Sequence, residues 1–223
     1  MVYYCCMFRI QFVITMSLAN RIYAKNRSRK YQFFIDTYSP NKGQKILDVG
    51  FSDIEYSVSD NYLEKHYPHQ GDITALGIDT PTQFPTRYPQ VKVVQYEGRV
   101  FPFADQTFDI GWSNAVIEHV GGWQEQVLFL KEVKRTCKHG FITTPNRWFP
   151  IEVHTRIPLL HFLPKRYFDA LLKNTSKAWA TGSYMHLLSY KDIKKLLAEA
   201  GIEKYTIKRN RFFGFTMDFV IVF

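Results

Sequence analysis

Short apolar runs alternate with amphipathic stretches along most of the chain. The runs KILDV, ITALGID, VKVVQYEG, FDIGWSN and GFITTPN are rich in β-branched or aromatic residues and end in polar or small ones. Between the last two runs, Val127, Leu130 and Val133 recur at about one helical turn, which predicts a helix. Buried strands that alternate with helices are typical of a parallel sheet covered on both faces. The pattern therefore predicts an α/β fold.

The C-terminal part of the chain completes this prediction. Ser189 and Asp192 form an S-x-x-D capping box, an apolar stripe follows it, and Gly201 is a suitable helix end. The runs KYTIKRN and FTMDFVIVF predict two more strands, which could form an antiparallel edge. Together these patterns predict a Rossmann-like α/β fold with a mostly parallel seven-stranded sheet and helices on both faces.

Residues 150–186 break the pattern. This stretch is aromatic, basic and interrupted by prolines, and it follows the fifth predicted strand. A segment in that position lies over the carboxyl ends of the strands, where open α/β sheets bind ligands. We expect a helical insertion there that binds substrate or acts as a lid.

Residues 1–15, MVYYCCMFRIQFVIT, resemble a signal sequence only in their apolar character. No charged segment precedes the apolar run and no A-x-A site follows it, and Arg9 and Gln11 interrupt it. We expect Met16 to be the natural start, residues 1–15 to be an upstream or disordered extension, and residues 16–223 to form one domain that opens with a capped helix at Ser17. The rival interpretation is a membrane-surface helix with lipidated Cys5 or Cys6.

Composition narrows the class of protein. The 223 residues are 46% apolar, enough for a substantial core, and the formal net charge of +9 favours anionic partners such as nucleic acid, anionic lipid or an acidic substrate. Three cysteines, two of them adjacent, do not make a disulfide framework, so we expect a reduced, cytoplasmic protein. No histidine or cysteine pair has the spacing of a metal site, and no metal is predicted.

Three segments in order, ILDVG, GID and EGRVFPFADQTFDIGWSNAVIEHV, resemble the class I S-adenosylmethionine-dependent methyltransferases. The stretch FPFADQTFD is similar to the G-D-x-x-x-L-P-F-x-D-x-S-F-D pattern of a broad small-molecule group in that family. The resemblance covers residues 45–145 well and residues 186–201 loosely. It implies methyl transfer with S-adenosylmethionine as the cofactor, and makes the insertion an acceptor-binding element.

The loop after the first strand has a single glycine, where a dinucleotide loop has G-x-G-x-x-G. A dinucleotide loop needs its glycines so that the backbone can approach the pyrophosphate of the ligand. S-adenosylmethionine has no phosphate, so a loop that binds it needs fewer glycines. Gly50 permits the turn, Ser52 is small, and Asp53 tolerates turn geometry. By resemblance, Asp48 and Gly50 lie beside the methionine portion of the cofactor. A degenerate loop that no longer binds is the alternative.

Two acidic residues follow the next two strands. Asp79 ends the second strand, where a carboxylate can accept hydrogen bonds from both ribose hydroxyls. By resemblance, Glu97 faces the adenine amino group and Gly98 offers a backbone amide. The alternative for Asp79 is that it only begins a turn.

The fourth strand ends where the resemblance places the transferred methyl group. Ser113 is expected to contact the cofactor and Asn114 the acceptor, and His119 is a candidate general base because its ordinary pKa lies near neutrality. His154 and Arg156 in the insertion could orient an acceptor. The alternatives are a structural role for His119 and a solvated surface for His154 and Arg156.

These features predict a bacterial methyltransferase that acts on a small-molecule, glycan-precursor or lipid-linked acceptor. Methylation of RNA or DNA is the second hypothesis, because the chain is basic and Trp148 follows Arg147, but no N/D-P-P-Y/F loop follows the fourth strand. A non-catalytic, cofactor-binding scaffold protein is the third hypothesis.

The basic residues from Arg21 to Lys30 would also suit a peripheral contact with anionic lipid. Oligomeric state is not predicted.

Overall fold

The computed structural model describes residues 3–151, 157–182 and 185–223. The helices are α1 (Tyr3–Tyr38), α2 (Tyr62–His66), α3 (Phe84–Arg87), α4 (Trp123–Thr136), α5 (Lys165–Leu172) and α6 (Tyr190–Glu199). The strands are β1 (Ile46–Val49), β2 (Ile73–Gly77), β3 (Lys92–Gln95), β4 (Phe108–Asn114), β5 (Cys137–Pro145), β6 (Thr206–Phe212) and β7 (Phe215–Val222). Each predicted strand is confirmed. No helix in these ranges is both long and apolar enough to cross a bilayer.

The seven strands form one sheet in the order β3-β2-β1-β4-β5-β7-β6. The first five strands pair in parallel, whereas β7 is antiparallel to both β5 and β6. The predicted antiparallel edge is confirmed. The description of the sheet as mostly parallel is corrected to a mixed Rossmann-like sheet, because the last two strands form a hairpin, and adjacent hairpin strands run in opposite directions.

Helix α1 packs along one face of the sheet and runs from its carboxyl edge toward its amino edge. The ring of Phe34 lies 5.0 Å from that of Trp112 on β4, centroid to centroid. One turn earlier in the helix, Lys30 contacts Thr143 near the end of β5. One turn later, the hydroxyl of Tyr38 donates to the carbonyl of Gly140 near the start of β5. The residues before Lys30 therefore reach the carboxyl ends of the strands.

The start of α1 differs from the prediction. The helix begins at Tyr3, without the break expected before Ser17. The residues before Ser17 contain neither proline nor glycine, so nothing in that stretch stops a helix from continuing toward the amino terminus. The proposal that translation starts at Met16 is a separate question and stays a prediction.

The prediction for α6 is confirmed in detail. Ser189 Oγ accepts from the backbone N–H of Asp192, and the Asp192 carboxylate accepts from the backbone N–H of Ser189, so the capping box is closed. At the other end, Gly201 and Ile202 donate to carbonyls of the last helical turn. The helix therefore has satisfied backbone groups at both ends.

The described part of the predicted insertion contains α5 and two short 3-10 helices. Phe168 and Leu172 of α5 pack against Ala180 in a small separate core. At the end of the insertion, the backbone N–H of His186 donates to the Glu118 carbonyl at 2.8 Å. The end of the insertion therefore contacts the segment that follows β4.

Candidate active site

The order of the strands reverses between β1 and β4, and the loops at their carboxyl ends diverge there. Open α/β sheets bind ligands at such a switch point. Gly50 follows β1 with φ of +105°, and a Cβ on it would lie 2.3 Å from Cγ2 of Val116 in the loop after β4. Only glycine combines that backbone conformation with such a close approach. The two loops therefore meet over Gly50.

The side chains of the first loop mainly fix the loop itself. The backbone N–H of Ser52 donates to the side-chain oxygen of Asn61, and the Asn61 amide donates back to the Ser52 carbonyl. Ser52, which stands at the position of the second glycine of a dinucleotide loop, is thus held through its backbone by Asn61. Nothing in these contacts uses the Ser52 hydroxyl, and its role toward a cofactor stays a prediction.

Asp53 joins the first loop to α3. Its Oδ1 accepts from the backbone N–H groups of Thr82, Gln83 and Phe84, and its Oδ2 accepts from the Thr82 hydroxyl. These hydrogen bonds, led by that of the Thr82 hydroxyl, lower the pKa of Asp53 to about 2. The predicted cofactor contact of Asp53 is untested, and the contacts present give its carboxylate a structural role.

Asp79 and Glu97 lie side by side beyond the ends of β2 and β3. Gly77 and Gln95 are partners in the parallel register, and each acidic residue comes two positions later. Both are exposed, and neither carboxylate accepts a hydrogen bond within the described residues. Two neighbouring free carboxylates at this edge suit a ligand with several hydroxyl or amino donors.

An exposed isoleucine next to Asp79, near Gly98, was not predicted. Ile78 is 64% exposed, and its Cγ2 lies 3.4 Å from where a Cβ on Gly98 would be. Apolar surface of this kind suits a flat ring such as adenine. The signal in the sequence was an isoleucine directly before Asp79, at a position beyond the buried strand.

Asp48 on β1 faces Glu64 of α2 in the interior. Their carboxyl groups lie within hydrogen-bonding reach of each other, and no other described donor reaches the Glu64 carboxylate. Burial, and then the neighbouring Glu64, raises the pKa of Asp48 well above its ordinary value, and burial raises the pKa of Glu64. Burial and the repulsion between neighbouring carboxylates both favour the protonated form, so the pair holds a proton more tightly than an exposed carboxyl group does.

Ser113 and Asn114 at the end of β4 are held by their neighbours. The Ser113 hydroxyl is buried and donates to the Val49 carbonyl at 3.1 Å, which ties β4 to β1. The Asn114 side chain accepts from the Thr143 hydroxyl at 2.5 Å. Both residues stand at the predicted place, and their predicted contacts with cofactor and acceptor stay predictions.

The residue before His119 is more deeply buried than His119 itself. Both lie in the short 3-10 helix Ile117–His119 after β4. Glu118 is fully buried, its Oε2 accepts from the Thr144 hydroxyl at 3.0 Å, and its Oε1 has no partner within the described residues. His119 is half-buried. The base role of His119 is untested, and Glu118 adds a buried carboxylate beside the ends of β4 and β5.

A polar network beneath α1 was also not predicted. Lys30 and Asp218 of β7 form a buried ion pair at 3.5 Å. Asn26 donates to the same carboxylate at 2.5 Å and accepts from Asn210 of β6. The available signal was Asp218 inside the apolar run FTMDFVIVF, since a charge buried in such a strand requires a partner.

A cavity of about 580 Å³ lies between the insertion, α4 and the start of α6. Its walls include aromatic, apolar and charged side chains, among them Trp123, Gln126, Arg147, Trp148, Phe162 and Met185. Gln126 donates to the carbonyls of Ile117 and His186, so this wall is continuous with the 3-10 helix that carries Glu118. The volume is that of a small-molecule site.

His154 and Arg156, which the sequence predicts to bind substrate, lie outside the described residues.

Residues 59–142 match a family model described as a methyltransferase domain. The matched range contains β2 to β4 with Asp79, Glu97 and Ser113, and begins after the Gly50 loop. This part of the chain is similar to a methyltransferase domain. An enzyme of this type with S-adenosylmethionine as cofactor is therefore supported.

Solved structures of S-adenosylmethionine-dependent methyltransferases share the fold of this chain. A possible histamine N-methyltransferase from Thermotoga maritima is 13% identical with a TM-score of 0.57, and the match covers 96% of this chain and 94% of that one. A methyltransferase from Methanosarcina mazei is 16% identical with a TM-score of 0.56, covering 85% and 95%. One from Aquifex aeolicus is 16% identical with a TM-score of 0.53, covering 86% and 87%. None of the curated proteins matches the chain in sequence.

Proposed function

We propose that the protein transfers a methyl group from S-adenosylmethionine to an acceptor that is a small molecule, a glycan precursor or a lipid-linked molecule. The observation that carries the proposal is the pair of free carboxylates, Asp79 and Glu97, beside the glycine-requiring turn at Gly50. Two acceptors at neighbouring strand ends suit the ribose hydroxyls and the adenine amino group. The fold and the matched methyltransferase domain support the same cofactor.

The roles of the residues follow from where they stand. Asp79 would hold the ribose, Glu97 and the Gly98 amide the adenine, and Ile78 the face of the ring. The Gly50 turn would pass beside the methionine portion. Bound S-adenosylmethionine supplies a methyl carbon activated by a sulfonium. The protein then contributes mainly position, because a displacement reaction is accelerated strongly when the reacting atoms are held in line.

The acceptor would occupy the cavity under the insertion. A volume of about 580 Å³ favours a small molecule over a polymer, and the exposed rings of Trp148 and Phe162, 5.9 Å apart, favour an acceptor with an apolar or planar part. Arg147 lies 5.6 Å from the Trp148 ring and adds positive charge. An acceptor hydroxyl or amine that must lose a proton would have His119 and Glu118 nearby, in the segment that adjoins the cavity.

A transfer assay with radiolabelled methyl tests the proposal. Purified protein and labelled S-adenosylmethionine are incubated in parallel with a small-molecule extract, a lipid-linked glycan fraction, and transfer RNA. We expect label in the small-molecule or lipid-linked fraction, and its loss in Asp79→Ala. Label in RNA alone would contradict the proposed acceptor class. Cofactor binding without labelled product from any fraction would favour a scaffold protein.

A further inference from the structure

Arg27 of α1 reaches the carboxyl ends of the strands. Phe34 packs on Trp112, and Lys30, one turn nearer the carboxyl edge, has its Nζ 3.4 Å from the Thr143 hydroxyl. Arg27 precedes Lys30 by three residues and shares that face of the helix. Helical side chains also tilt toward the amino terminus of their helix. The guanidinium therefore lies past the strand ends, on the side where the switch point opens.

The charges around Arg27 are mostly negative. Burial lowers the pKa of Arg27, while the charges of four carboxyl groups oppose that effect; these belong to Asp60, Asp218, Asp48 and Glu118. In the described part of the chain the guanidinium forms neither a hydrogen bond nor an ion pair with any of them. Asp218 is instead bound by Lys30 and Asn26. The site thus presents one guanidinium with free donors among several acidic groups.

The amino-acid end of S-adenosylmethionine has the complementary charges. It carries one carboxylate, and its ammonium and sulfonium are positive. A guanidinium can bind a carboxylate through two parallel hydrogen bonds. The ammonium of Lys30 cannot form this paired arrangement, and it is already paired with Asp218. Glu118, whose Oε1 has no described partner, and the acid pair Asp48 and Glu64 suit the two cationic groups.

We propose that Arg27 is the residue that binds the carboxylate of the cofactor's amino-acid end. This inference rests on the proposed function, because it assigns a residue to the cofactor site proposed above. It also gives α1 a direct role at the site, although the helix lies outside the matched residues 59–142.

The test compares two ligands that differ only in that group. S-adenosylmethionine and its decarboxylated form are titrated calorimetrically into the full-length wild type, Arg27→Met and Arg29→Met. Methionine keeps much of the aliphatic stem of Arg27. Arg29 is exposed on the same helix and is the matched control. Wild type and Arg29→Met should bind S-adenosylmethionine on the order of 10- to 100-fold more tightly than the decarboxylated form, as expected for a charged hydrogen bond.

In Arg27→Met the two ligands should bind alike, at the affinity that the decarboxylated form has for the wild type. Unchanged preference for S-adenosylmethionine in Arg27→Met would overturn the inference. Equal weakening of both ligands would also overturn it, because Arg27 would then act on the fold and not on the carboxylate. If wild type bound neither ligand, the proposed function itself would fail, and this outcome is distinct from the other two.

Discussion

Gly50 and Val116 approach so closely that a Cβ on Gly50 would lie 2.3 Å from Cγ2 of Val116. The contact joins the loops after β1 and β4, which flank the switch point of the sheet. Gly50 also has φ of +105° and donates its N–H to the Leu76 carbonyl at 2.8 Å. The position of the first loop thus depends on the absence of a side chain at residue 50.

Gly50→Ala should therefore destabilise the protein by about 1–3 kcal/mol through backbone strain alone and weaken cofactor binding further through the clash. Urea denaturation and calorimetric titration of S-adenosylhomocysteine measure the two effects. Gly50→Ala combined with Val116→Ala should recover part of the loss, since space returns and the strain remains. Gly71→Ala is the control, because Gly71 has open space around it and no positive φ. Equal behaviour of Gly50→Ala and Gly71→Ala would contradict this account.

The paired carboxyl groups of Asp48 and Glu64 predict a dependence of stability on pH. The native pKa of each is raised, so the folded state keeps a proton that the unfolded state loses above about pH 4. The free energy of unfolding should then fall as pH rises from about 4, by up to about 1.4 kcal/mol per pH unit for one proton, until the native pKa is passed.

Glu64→Gln should make that decline shallower, leaving the part that the burial of Asp48 causes, and should be the more stable protein at neutral pH. The measurement is the free energy of unfolding of both proteins at a series of pH values between about 4 and 8. Glu203→Gln, a substitution at an exposed position, should follow the wild type. A wild type whose stability rises over this interval relative to Glu64→Gln would contradict a raised pKa for the pair.

The ion pair of Lys30 and Asp218 should be costly to break from either side. Both side chains are buried, at 8% and 5% exposure. Lys30→Met leaves the Asp218 charge without its cation and should cost about 3–5 kcal/mol in urea denaturation. Lys30→Met with Asp218→Asn should cost less than Lys30→Met alone, because no charge then remains buried. Additive losses would mean that the two side chains do not interact.

Trp148 should affect the acceptor and not the cofactor. Its ring is 61% exposed and lines the cavity beneath the insertion. With an acceptor identified by the transfer assay, Trp148→Ala should raise the KM for that acceptor about 10-fold while leaving S-adenosylhomocysteine binding unchanged. Phe213→Ala, at a still more exposed aromatic position in the turn between β6 and β7, should change neither. An unchanged acceptor KM in Trp148→Ala would remove the cavity from the proposed site.

The sequence predicted the strands well because each is a short apolar run with a clear end. It also located Gly50, Asp79 and Glu97, since residues at the carboxyl ends of parallel strands meet at one edge whatever the packing between them. The antiparallel edge was also expected, but the position of β7 between β5 and β6 was not, because a strand's side-chain pattern does not record which strand lies beside it.

The contacts of α1 could not be obtained from local patterns. Its basic residues from Arg21 to Lys30 suggested a surface for anionic lipid, yet Lys30 is buried against Asp218, nearly the whole chain away in sequence. Asp53 and Glu64 also acquire their surroundings only when distant loops meet. The contacts of these residues are determined by tertiary packing, which the neighbouring residues in the sequence do not reveal. The lipid contact itself stays a prediction.

Calorimetric titration of S-adenosylhomocysteine into the wild type and Asp79→Ala tests the central claim most directly. The wild type should bind with a dissociation constant of micromolar order, and Asp79→Ala should lose about 1.5–3 kcal/mol, as expected for a hydrogen bond to a charged group. Glu203→Ala should bind as the wild type does. No binding by the wild type, or equal binding by Asp79→Ala, would contradict the assignment of this edge of the sheet as the cofactor site.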